Sequence, residues 1–258
     1  MNNKIDFGIC LSSFARQYIE EDGYGTEQMF QILNRLHIQK FEITGAQMFQ
    51  HYPNPSDEEV QEVLRLAQKY HVIPYSYDGY VDFAKHPDTD MSDDEIMNEI
   101  TFHLMTAHKL RCRYLTETGI PVHIYPRAAQ MAAFYDVQIC FRIHAQEKAA
   151  DTQLLKLAGI LDELSSSSAC LAPDLECLSG YSNQSAEVLS PILRHTGFFH
   201  ETCRDSQKDS PQTDIPYAKL LRMLSDAGFE GTVMTAYEGP CYSDDAANLI
   251  AHFMNMQG

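Results

Sequence analysis

The chain has 258 residues, 44% hydrophobic and 21% charged, which suffices to bury a full core without a metal or disulfide staple. Its 36 acidic residues against 19 basic give a net charge of −17. Such a field repels phosphate backbones and anionic lipid and argues against nucleic-acid and membrane-surface partners.

The seven cysteines are an odd number without a C-x-x-C pair. Most sit in or beside apolar runs, where cysteine acts as a small buried hydrophobe. Met1 to Asp6 lacks the apolar centre of a signal peptide, and no run reaches the roughly 18 residues of a membrane span. These features lead us to expect a reduced, cytoplasmic protein.

In chain order, Ile5 to Leu11 reads as a strand closed by Ser12-Ser13, and Thr26 caps a helical pattern reaching Leu36. Lys40 to Gly45 is the second strand. Ser56 and Glu59 form a capping box for a helix to Tyr70. Val72 to Gly79 is the third strand, and Ser92 with Glu95 opens a helix to about Arg111. Cys112 to Glu117, a helix from Ile124 to Tyr135, Val137 to His144 and a helix from Leu154 to Leu164 follow. The sixth strand ends at Asp174, before a helix from Ala186 to His195. The seventh ends at or just past His200, before a helix from Asp214 to Gly228. The eighth runs to Glu238, and Ser243 caps a last helix.

Eight strand–helix pairs without a composition break predict a single-domain (β/α)₈ TIM barrel over residues 1–258. An open doubly wound sheet is the alternative arrangement. In either, polar residues at the C-terminal strand ends face the ligand crevice, which directs attention to Asp174, His200 and Glu238. Glu42 and Glu117 sit in apolar runs, where an unpaired carboxylate is costly. They are either paired with Arg113 or another base, or they face the mouth as acid–base groups.

The segments His200 to Asp205, Asp214 to Leu224, Ala227 to Gly231 and Thr235 to Gly239 make a distinctive series. The series resembles the end of the xylose isomerase-like TIM barrels, a superfamily of sugar and sugar-phosphate isomerases and epimerases. Phe41-Glu42-Ile43 and the pattern around Asp174 are similar to theirs as well. The resemblance implies a divalent metal (Mn²⁺, Mg²⁺, Co²⁺ or Zn²⁺) held by a glutamate on strand 5, an aspartate on strand 6, a histidine on strand 7 and a glutamate on strand 8. It further implies proton transfer beside a carbonyl on a sugar, polyol or sugar phosphate.

Carried onto this chain, the implied ligands are Asp174 and His200, with His144 at the strand 5 position. On strand 8 the position falls on Ala236, and Glu238 two residues beyond is, with His144, a candidate for the remaining ligand. Glu42, Glu117 and Glu238 are the candidate acid–base groups, and Tyr77, Asp78, Gln146 and Arg204 the candidate substrate contacts. His144 and Ala236 stand at two glutamate positions, so two other readings stay open. One is a barrel that binds a small ligand without metal, and the other is a related dehydratase or lyase. Dimers and tetramers are common in the resembled family.

Overall fold

The computed structural model describes residues 5–83, 91–145, 150–184, 186–204 and 217–238. Period-2 alternation of apolar residues builds eight parallel strands. They are β1 (Asp6–Cys10), β2 (Lys40–Thr44), β3 (Ile73–Asp78), β4 (Tyr114–Glu117), β5 (Gln138–Ile143), β6 (Ala169–Pro173), β7 (Phe199–Arg204) and β8 (Thr232–Glu238). They form one sheet in the order β6-β5-β4-β3-β2-β1-β8-β7. Parallel bridges Leu171↔Thr196 and Asp174↔His200 join its two edges, so the sheet closes into a barrel rather than staying open.

The helices around it are α1 (Ala15–Glu20), α2 (Thr26–Arg35), α3 (Gly45–Met48), α4 (Asp57–Tyr70), α5 (Asp93–Lys109), α6 (Tyr125–Phe134), α7 (Ala150–Leu164), α8 (Ser190–Leu193) and α9 (Tyr217–Asp226). Both expected capping boxes are present: Ser56 and Glu59 start α4, and Ser92 and Glu95 start α5. At α2 the cap is Gly25, not Thr26, because the Gln28 side chain reaches back to the Gly25 N–H. The single helix expected from Ala186 to His195 breaks into a 3₁₀ turn, Ala186–Leu189, and the short α8. Pro191 supplies no N–H in that first turn. The last helix expected from Ser243 lies outside the described residues. Among the described residues, no helix is long and apolar enough to cross a membrane.

Alternation divides the core in two. Phe41, Ile43, Leu115, Ile139, Phe141, Leu171 and Val233 pack outward beneath the helices. Cys10, Tyr75, Tyr114, Cys140, Cys170, Phe198, Met234 and Ala236 fill the barrel. One expectation is overturned here: Cys140 and Cys170 are not separate buried thiols but a disulfide. β5 and β6 pair them in register, which places their inward Cβ atoms side by side across 30 residues of sequence. Spacing alone does not show such a pair.

The Ser56 cap fixes where α4 begins, directly after the loop leaving the β2 end of the barrel. Ser56→Ala is expected to cost about 1 kcal/mol. Urea unfolding measures it, and an unchanged midpoint would contradict the cap's role.

Candidate active site at the strand ends

The polar groups of the barrel mouth come from inward-facing strand positions, with a register shift at Tyr75 on β3 that brings Ser76 and Asp78 to the interior above it. On β2, Phe41 and Ile43 face the helices, so Glu42 faces inward and is 1% exposed. Its carboxylate accepts from Ser76 Oγ at 2.7 Å and Cys10 Sγ at 3.1 Å. His200 Nε2, on β7, lies 2.9 and 3.0 Å from its two oxygens. Burial pushes the Glu42 carboxyl up, but His200, Arg142 and the Ser76 hydroxyl outweigh it and hold it well below the usual range. His200 Nε2 therefore serves as the donor, leaving its buried Nδ1 without a hydrogen-bond partner.

Asp174 follows β6 and is 4% exposed. Its Oδ2 accepts the Ala145 N–H at 3.0 Å and lies 3.6 Å from His144 Nδ1. Its Oδ1 lies 3.5 Å from an Arg142 terminal nitrogen and has no hydrogen bond. Burial raises the Asp174 pKa; His144, Arg142 and His200 more than reverse this and lower it to about 2. Asp78, at the end of β3, accepts from Thr116 Oγ1 at 3.0 Å and from Thr44 Oγ1 at 3.5 Å. Here burial and the neighbouring Glu42 charge prevail over Arg142, and the carboxyl is raised to about 6.

Arg142 completes the group. Cys140 faces the barrel interior, so Arg142, two residues on along β5, faces it too. Its side chain is 12% exposed, and the charges of Asp78, Asp174 and Glu42 all act on its guanidinium. Sequence reasoning passed over this residue, as it did Ser76 and Cys10. Counting by twos from Cys140 was the signal that could have found it.

Two sequence-derived candidates lie elsewhere. Glu117 does not face the mouth; of its two sequence readings the structure follows the pairing with a base, which is His103 rather than Arg113. It is turned toward α5, where its Oε1 lies 2.5 Å from His103 Nδ1. Tyr77 is fully buried on the helix side, against Phe49 and His103, which removes it from substrate contact. The β4 and β3 alternation that turns Thr116 and Asp78 inward sends their neighbours outward. Gln146 and the side chains of Arg204 and Glu238 lie outside the described residues.

The resemblance implies a metal held by four residues, and the donors present do not compose that ring. β5 offers Arg142 and His144 in place of a carboxylate, and β8 offers Ala236, a buried methyl. A guanidinium has donors only and repels a cation. A different trio, Cys10, Glu42 and His200, brings three possible ligand atoms within 4.8 Å of one another. Those atoms already meet as donor and acceptor around one carboxylate. Burial, followed by the Glu42 charge, holds the Cys10 thiol well above its usual pKa.

No family model matches this chain. A C-glycoside deglycosidase alpha subunit from Arthrobacter globiformis is 26% identical over 125 residues, 48% of this chain. That match spans only 36% of the relative's own length. Among solved structures, a xylose isomerase domain-containing protein from Salmonella typhimurium superposes with a TM-score of 0.71 at 15% identity, covering 100% of both chains. D-psicose 3-epimerase from Clostridium cellulolyticum, solved with D-tagatose, gives 0.68 at 14% identity over 98% of each.

The Asp78 carboxyl yields a pH prediction. Its folded pKa is raised, so its stabilising contribution is complete below the unfolded value of about 3.9 and is lost as pH rises through about 6. Asp78→Asn is therefore expected to gain on the wild type in urea stability between about pH 5 and about pH 8. A constant gap between the two proteins would refute the assignment.

Proposed function

From the xylose isomerase-like TIM barrel into which this chain folds, we propose an enzyme acting on a sugar or polyol by moving a proton next to a carbonyl, in the manner of the sugar isomerases and epimerases. The supporting observation is the convergence of Asp78, Arg142, His144 and Asp174 on the C-terminal strand ends, where barrels of this architecture carry their chemistry.

The reaction needs a group that takes a proton, a group that returns it, and positive charge beside the oxygen that becomes anionic. Asp78, with its pKa near 6, and His144, whose side chain is 34% exposed and oriented by Asp174, are the proton-handling groups with access to the mouth. Arg142 supplies the positive charge. Glu42 and His200 lie beneath, where the carboxylate fixes the imidazole and the pair carries part of the field that positions Arg142. Glu238 closes β8 on the same rim as a further acid–base candidate. No step is routed through a metal, since among the described residues His144 and Ala236 stand where strands 5 and 8 of the resembled family carry carboxylates.

Deuterium exchange tests this reading. The protein is incubated in D₂O with unphosphorylated ketoses, sugar phosphates and C-glycosides, and washing-in of label beside the carbonyl is followed by NMR. Exchange on at least one class, reduced roughly 100-fold or more in Asp78→Asn, is the expected result. Saturable binding without exchange on any class would favour the non-catalytic, ligand-binding barrel instead, a reading to which Ala236 at a glutamate position lends support.

A further inference from the structure

The barrel interior poses a charge problem that the expected metal would ordinarily solve. Glu42, Asp78 and Asp174 converge on one interior, Glu42 and Asp174 at only 1% and 4% exposure. Carboxylates so placed require a nearby cation. Arg142 rises from β5 among all three. Guanidinium keeps its charge at any physiological pH, so it discharges this role permanently.

Its bonding is also incomplete. Arginine offers five N–H donors in a planar fork. Among the described residues its ion pair is the single one to Asp174 at 3.5 Å, beyond the usual length of a charge-assisted hydrogen bond. Its Nε is buried with no partner, and so is Asp174 Oδ1. Buried polar atoms left unpaired in this way are costly. The side chain is nonetheless 12% exposed, so terminal N–H donors of the fork suit a carbonyl or hydroxyl oxygen of a ligand at the mouth.

We propose that Arg142 is the resident cation of this barrel: its guanidinium takes the place a divalent metal would hold and receives the ligand's oxygen directly, so the site binds a sugar-like ligand without metal. The choice of ligand rests on the function proposed above, but the displacement of the metal does not. Arg142 repels a dication from Asp174 beside it, and among the described residues His144 and Ala236 stand where strands 5 and 8 of the resembled family carry the carboxylates that would offset the repulsion.

Metal uptake, measured without any sugar, separates the two claims. The full chain is stripped with EDTA, equilibrated with Mn²⁺ and analysed by mass spectrometry and calorimetry. The wild type is expected to retain no stoichiometric Mn²⁺ and to show no Mn²⁺-dependent rise in melting temperature. Arg142→Glu returns a carboxylate to β5 beside Asp174 and His200; it is expected to bind about one equivalent and to melt higher with Mn²⁺ than without. Arg142→Lys keeps the charge and loses the fork; it is expected to stay metal-free and to bind sugar roughly tenfold more weakly. One equivalent of Mn²⁺ on the wild type, lost in Asp174→Ala, would overturn the proposal. So would a folded Arg142→Glu protein that takes up none. If Arg142→Glu does not fold in either condition, the wild-type titration and the lysine variant decide the matter. Absence of deuterium exchange would leave these metal results standing.

Discussion

Several carboxylates drawn toward one barrel interior need a cation among them, and the architecture of the mouth follows from how that need is met. Arg142 comes from β5, Asp174 from the end of β6, Asp78 from β3 and Glu42 from β2, so the charges belong to four different strands. None could be buried this way by its own segment. The group is stable only when the barrel is closed, and closure is itself secured where β6 meets β7, at the Asp174↔His200 bridge. The residue pair that completes the ring of strands is thus part of the charged cluster.

Beneath the cluster the interior is filled by aromatic and small residues, with Tyr75, Tyr114 and Phe198 in mutual ring contact. The Cys140–Cys170 disulfide lies in this layer, directly below Arg142 and Ala172 on the same two strands. A covalent tie at that level holds β5 and β6 together under the guanidinium and the Asp174 carboxylate. Gly197 lets the sulfurs sit so close to the chain: a Cβ there would come within 2.9 Å of Cys170 Sγ and 3.0 Å of Cys140 Sγ.

A second buried polar chain serves the loops rather than the lumen. Glu117 on β4 meets His103 on α5, and His103 Nε2 lies 2.8 Å from the hydroxyl of Tyr52. Tyr52 in turn accepts the Tyr80 N–H at 2.8 Å and donates to the Tyr80 carbonyl. The loop after β2 is thereby tied to the loop after β3, two of the segments that border the mouth. A carboxylate that looked like acid–base machinery is instead an anchor for the walls of the site.

How much of this was legible in the sequence follows from how local each signal is. Strands, helices and capping boxes such as Ser56 with Glu59 are written within a few residues, so their order and the barrel class could be read directly. Asp174 and His200 were found because each closes an apolar run. The pairing of Glu42 with His200, 158 residues away, was not legible, nor was that of Cys140 with Cys170. For Glu117 both readings, pairing with a base or facing the mouth, stayed open in the sequence, because a lone carboxylate in an apolar run does not declare which face of the sheet it occupies; the base is His103. The sequence by itself determined which residues are strand ends and which carry charge. Only the tertiary structure decided that an arginine stands among the carboxylates, because strand register and ring closure, not sequence distance, set which side chains share an interior.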